Sequence, residues 1–96
     1  MLFSAASGWE IAIKFALGRL PLPAVPEQFV PERLARDGIS VLPVELVHAL
    51  RVATLPKLHR DPFDRLLVAQ AMVEGVPLLT ADRRVAAYAI ETIPAA

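Results

Sequence analysis

The chain has 96 residues, 55% of them hydrophobic, with ten basic and ten acidic side chains and no net charge at neutral pH. That length admits one small domain near the lower limit for a well-covered core, and the balanced charge does not single out nucleic acid as a partner. There is no cysteine, which excludes disulfides, thiolate zinc sites and a cysteine nucleophile and fits a reducing cytoplasm.

Ser4 to Leu17 is predicted as a helix, because Trp9, Ala12, Ile13, Phe15 and Ala16 recur at a spacing near 3.6 and Gly18 is a natural C′ residue. RLPLPAVP (19–26) is a proline-punctuated connection. Glu27 to Arg36 reads as a short helix, weakly interrupted by Pro31 and ended by Asp37-Gly38. ISVLPV (39–44) is rich in β-branched residues and reads as a strand, followed by a helical Glu45 to Thr54. The strongest helix is Pro62 to Glu74, opened by Asp61-Pro62 and closed by Gly75. VPLLT (76–80) reads as a short buried strand, Asp82 to Ala89 as a last helix, and IETI (90–93) as a final strand.

Strands alternating with helices imply an α/β fold with a mostly parallel sheet, which binds ligands outside the carboxyl ends of its strands. The end of PLLTAD, carrying Asp82, is such a place. No GxGxxG or GxxxxGK[ST] pattern occurs, so dinucleotide and P-loop readings have no support. No apolar run reaches the ~18 residues of a membrane span, and Met1 is followed by neither a basic nor an apolar leader segment. A mean hydropathy of +0.49 is nevertheless high for a small soluble chain. It points to apolar surface covered by a partner, or meant for a part of the fold that is missing.

The acids carry the functional question. Asp61 before Pro62 is most simply an N-cap. Asp64 falls at N3, where the helix dipole favours a carboxylate. On a helical wheel Gln70 and Glu74 mark a wet face, whereas Asp64 lines up with Leu67, Val68 and Ala71. An acid on an apolar arc must be paired, protonated or bound to a cation. Glu10 has two structural roles open to it, closing a capping box with Ser7 in SGWE and pairing with Lys14 at i,i+4. Thr80 or Asp82 can cap the last helix. Taken singly, each acid reads as structural. Together they form an all-oxygen set suited to Mg²⁺ or Mn²⁺. His48 and His59 lack zinc-ligand spacing; His48 reads as an ordinary helix residue and His59 as a phosphate or backbone contact. The basic clusters Lys57-His59-Arg60 and Arg83-Arg84, taken alone, read as solvated surface charge.

SAASGWEIAIKFALGRL (4–20), LHRDPFDRLLVAQAMVEGVPLLTAD (58–82) and the terminal strand resemble the PIN-domain ribonucleases, specifically the VapC-type toxins of bacterial toxin–antitoxin pairs, over nearly the whole chain in order. The resemblance implies a PIN-like three-layer α/β fold. It implies a metal-dependent endoribonuclease, with acids at the carboxyl edge of a parallel sheet holding Mg²⁺ or Mn²⁺. Residue by residue, it assigns metal-binding and catalytic roles to Glu10 of WEIAIK, Asp64 of DPFD and Asp82 of LLTAD. Asp61 is a further candidate ligand, Thr80 a site-lining residue, and Arg60, Arg65, Arg83 and Arg84 candidates for holding RNA backbone. The implied partners are single-stranded or looped RNA, a cognate antitoxin and a second copy of the chain, in the cytoplasm and without a membrane.

One departure from the family pattern carries its own expectation. The family opens with a strand resembling LLLDTHVLLW, central in the sheet, whose aspartate is a principal metal ligand. Here the chain starts at LFSAAS, which resembles the end of the second strand. Residues 1–96 are therefore expected to form a partial PIN domain lacking the first strand. That loss would separate the two halves of the sheet, remove one ligand, and leave the chain poorly stable and weakly active or inactive. The competing reading is a catalytically inactive PIN remnant that binds antitoxin or dimerises. A third reading, a phosphotransferase or receiver-like Mg²⁺ fold, would want adjacent acids after a first strand, and the chain has none.

Overall fold

The computed structural model describes residues 2–56, 61–76, 78–79 and 92–93. Ser4 decides where the first strand gives way to the first helix. Its Oγ accepts a hydrogen bond from the Ala6 amide at 3.0 Å, satisfying one of the donors a helix start leaves open. Residues Leu2–Ser4 are thus strand β1 and the helix, α1, runs Ala5–Ala16. The capping box expected at Ser7 does not form: Ser7 lies inside the first turn, and the cap is Ser4.

Glycine closes the helices as expected. After α1, Gly18 sits at φ +72°, the Gly18 amide donates to Phe15 O at 3.0 Å and the Arg19 amide to Lys14 O at 2.9 Å. This is the paired bonding of a Schellman ending, which a Cβ at positive φ would strain. The next helix, α2 (Pro26–Arg36), runs through Pro31 without the expected interruption. Pro31 removes its amide bond and crowds the carbonyl four residues before it, but both ends of α2 are held. Phe29 N bonds Val25 O at 2.9 Å and Ile39 N bonds Leu34 O at 2.9 Å. Strand β2 (Ser40–Leu42), helix α3 (Leu46–Arg51) with a 3₁₀ turn at Val52–Thr54, and helix α4 (Pro62–Glu74) follow. Strands β3 (Leu78–Leu79) and β4 (Thr92–Ile93) are the last elements among the described residues. The predicted Asp82–Ala89 helix lies outside the described residues, as do Lys57, His59, Arg60, Thr80, Arg83 and Arg84.

The four strands make one parallel sheet in the order β2-β1-β3-β4. The expected separation into two halves is thereby corrected: β1 pairs directly with β3, at Leu2↔Leu78. An open strand edge carries unmet amide and carbonyl groups, and pairing removes them from water together with the apolar side chains they bear. Leu78 is buried with Leu42, Leu67 and Ala71, and Leu2 packs against them. A second cluster, Leu55, Val68 and Ala69 with Val52 packed on it, lies along another side of α4. Helix α4 is therefore covered on most sides, which is why its sequence is apolar almost all round.

The predicted apolar face of α1 is not the core. Only Ala6 of this helix is buried; Trp9 is 63% exposed and Ile13 37%. Among the described residues its ring contact is an edge-on packing of Trp9 against Phe63, with centroids 5.0 Å apart and planes at 65°.

Candidate active site

The sheet places the site. The chain leaves β1 for β2 on one side and leaves β3 for β4 on the other. The carboxyl ends of β1 and β3 therefore flank a topological switch point, the place where open α/β sheets form a ligand crevice. Helix α1 leaves from the end of β1. Gln70 of α4 touches Ser4 at that end, and Phe63, two turns earlier on α4, touches Trp9 beyond it. The first turn of α4 accordingly lies on the carboxyl-end side, with Glu10 and Asp64 each next in sequence to the Trp9 and Phe63 whose rings meet edge-on.

The two acids at the start of α4 have different environments. Asp61 is the N-cap: its Oδ1 accepts from the Phe63 amide at 2.8 Å and from the Asp64 amide at 3.4 Å. Asp64 is 5% exposed, and Leu67, Val68 and Ala71 of the same arc are also buried, as the helical wheel anticipates. Asp61→Ala is expected to cost about 1 kcal/mol of folding stability. Asp61→Ser should recover most of it, because the hydroxyl keeps the cap; urea unfolding of the three proteins measures the difference.

Glu10 is partly buried and forms the anticipated i,i+4 ion pair, its Oε2 3.8 Å from Lys14 Nζ. At that distance and exposure the pair contributes little to stability and leaves Glu10 eligible as a ligand. The donors available, Glu10 and Asp64, are hard oxygens of the kind Mg²⁺ and Mn²⁺ prefer. Among the described residues no group of three or more His, Asp or Glu side chains gathers in a way that could hold a metal, and Asp82, the third predicted ligand, lies outside them. Arg65, predicted as an RNA contact, donates Nη1 to Pro56 O at 3.2 Å and Nη2 to Val52 O at 3.1 Å. These bonds tie the 3₁₀ turn to α4.

Two residues read as unremarkable in sequence form the best-buried polar structure. Gln70, expected on the wet face with Glu74, has no exposure at all, and neither has His48. The wet face fails at Gln70 because the β1–α1 junction and the segment before α3 close over it; Glu74 alone remains at the surface. His48 Nε2 lies 2.9 Å from Glu74 Oε2, and its Nδ1 accepts from the Glu45 amide at 3.0 Å. The acceptor role of Nδ1 makes Nε2 the protonated nitrogen, so a neutral ring donates to Glu74. The available sequence signal was Gln70 itself, a lone amide inside the apolar run 66–73.

A family model for the PIN domain matches residues 1–91. The chain belongs to the PIN-domain family. Within 48 residues it is 50% identical to ribonuclease VapC16 of Mycobacterium tuberculosis (strain ATCC 25618 / H37Rv). That match covers 50% of this chain and 34% of the relative, so the chain spans well under two thirds of the curated protein it resembles. No solved structure matches it significantly. The α/β architecture and parallel sheet are those expected of a PIN domain, and the VapC-type resemblance read from WEIAIK, DPFD and LLTAD agrees with the match. No described helix is long and apolar enough to cross a membrane.

Proposed function

We propose that this PIN domain is an Mg²⁺- or Mn²⁺-dependent endoribonuclease toxin of a type II toxin–antitoxin module, with Glu10, Asp64 and Asp82 as its metal-holding carboxylates. The observation that carries the reading is Asp64: a buried acid, 5% exposed, at the first turn of α4 beside the switch point, in a chain of this family. Its carboxylate is a hard-oxygen donor of the kind divalent cations prefer, held on a rigid helix at the carboxyl-end side of the sheet. When bound, Mg²⁺ or Mn²⁺ supplies an acidified water and offsets charge on the scissile phosphate. Glu10 and Asp64 orient the ion through rigid elements, one on each of two packed helices. Arg60, Arg65, Arg83 and Arg84 serve as phosphate contacts for single-stranded or looped RNA. Thr80 lines the site, and Asp61 remains chiefly the helix cap.

The partners in this reading are the RNA, a cognate antitoxin and a second copy of the chain, in the cytoplasm. One observation favours a second reading, an inactive PIN module that only binds antitoxin or dimerises. Trp9 and Ile13 of α1 and its C-cap Leu17 lie one turn apart and are all exposed, an apolar stripe of the kind that partners cover. Incubation of the purified chain with a mixed RNA pool separates the two. Cleavage that requires Mg²⁺ or Mn²⁺ and stops with EDTA supports the nuclease; intact RNA across a range of Mg²⁺ and Mn²⁺ concentrations supports the binding module.

A further inference from the structure

Ser4, Gln70, His48 and Glu74 form a continuous hydrogen-bonded chain, and three of the four are fully buried. The bonding directions are fixed by chemistry. Ser4 Oγ accepts from the Ala6 amide at 3.0 Å and donates its proton to Gln70 Oε1. Gln70 Nε2 donates to Pro43 O at 3.2 Å and lies 3.4 Å from His48 Nδ1. The Gln70 amide therefore has one orientation only, oxygen toward Ser4 and nitrogen toward Pro43 and His48. A buried polar network with its members satisfied holds one arrangement and penalises its alternatives, because each displaced group loses a partner in a dry interior.

The segments it joins are those that carry the site. Ser4 is the junction of β1 with α1, and Glu10 lies six residues further along that helix. Gln70 lies on α4, six residues beyond Asp64. Pro43 belongs to the connection from β2 to α3. Apolar packing between α1 and α4 is thin, since α1 buries only Ala6. The Ser4–Gln70 bond at the start of α1 and the Trp9–Phe63 ring contact one turn further on are specific contacts between this segment and α4.

We infer that Ser4 and Gln70 are positioning residues of the acidic site: their buried hydrogen bond fixes α1 against α4, and so Glu10 against Asp64. The inference rests on the reading that Glu10 and Asp64 hold a metal ion. Neither residue touches the reacting atoms; each acts through the helix it anchors.

Trp9 is the only tryptophan in the chain, so its single indole NMR cross-peak, shifted by the Phe63 ring, reports the α1–α4 contact without any metal. Ser4→Ala and Gln70→Leu are expected to move that peak and to weaken Mn²⁺ binding, measured by titration calorimetry, by about tenfold or more. Ser4→Thr, which keeps the hydroxyl, should restore both. Leu55→Ala, which truncates the core away from the network, should lower stability while leaving peak and affinity in place. A wild-type protein that binds Mn²⁺, with folded Ser4→Ala and Gln70→Leu variants that bind it equally well, overturns the positioning role and spares the metal reading. Should Gln70→Leu not fold, the Ser4→Ala and Ser4→Thr pair decides the same question. A wild-type protein that binds no Mn²⁺ overturns the metal reading and the positioning role with it.

Discussion

Asp64→Asn is expected to lower metal-dependent RNA cleavage by roughly a hundredfold or more while leaving the fold in place. The substitution keeps size and shape, removes the charge and turns one carboxylate oxygen into an amide donor. Asp64 is 5% exposed and sits among Leu67, Val68 and Ala71 on the arc of α4 that faces the interior. If its role were only to complement the helix dipole, the amide would cost about 0.3–1 kcal/mol of stability and cleavage would persist. If it holds a cation, the amide removes the charge that balances the ion, and Mn²⁺ affinity falls together with activity. Removing a buried charge can even raise the stability of the metal-free protein. The two roles therefore predict opposite combinations of stability and activity. RNA cleavage, Mn²⁺ titration and urea unfolding of one variant distinguish them; unchanged cleavage would take Asp64 out of the site.

Leu78→Ala is the second large effect, and it concerns the fold. Leu78 is 2% exposed, packs with Leu42, Leu67 and Ala71, and is the residue at which β3 pairs with β1. Truncating a buried leucine to alanine typically costs about 2–5 kcal/mol, through lost burial and the cavity left behind. A chain of this length has a total stability on the order of 5–14 kcal/mol, so the variant is expected to be largely unfolded at modest urea concentrations. Leu50→Ala is the matched control: Leu50 is 64% exposed, and its loss should change stability by no more than about 0.5 kcal/mol. A cost at Leu78 close to that at Leu50 would mean that the direct β1–β3 pairing is not what joins the two parts of the sheet.

The reach of each interaction explains what could be read before the structure. Helix ends were legible because caps and turn residues act within a few positions of themselves. Asp61-Pro62 opens α4 and Gly75 closes it within the predicted bounds, and Gly18 and Gly38 adopt positive φ where their helices stop. Competition between two local caps was harder: Ser4 prevails over Ser7 because it also bonds Gln70, 66 residues away. The burial of Asp64 was legible because the arc it shares is apolar at every neighbouring position.

The sequence by itself determined the bounds of α4, the α/β alternation, the PIN-type resemblance and the likeness of Glu10, Asp64 and Asp82 to that family's acids. Tertiary structure alone decided which polar residues go inside and which apolar ones stay out. Gln70 and Glu74 share a helical face, yet one is buried under Ser4 and Pro43 and the other reaches solvent. Trp9 and Ile13 have core-like spacing, yet α1 presents them outward. It also decided that β1 and β3 meet. The physical reason is common to all three: periodicity states which residues share a face, whereas burial depends on what arrives from elsewhere in the chain to cover it.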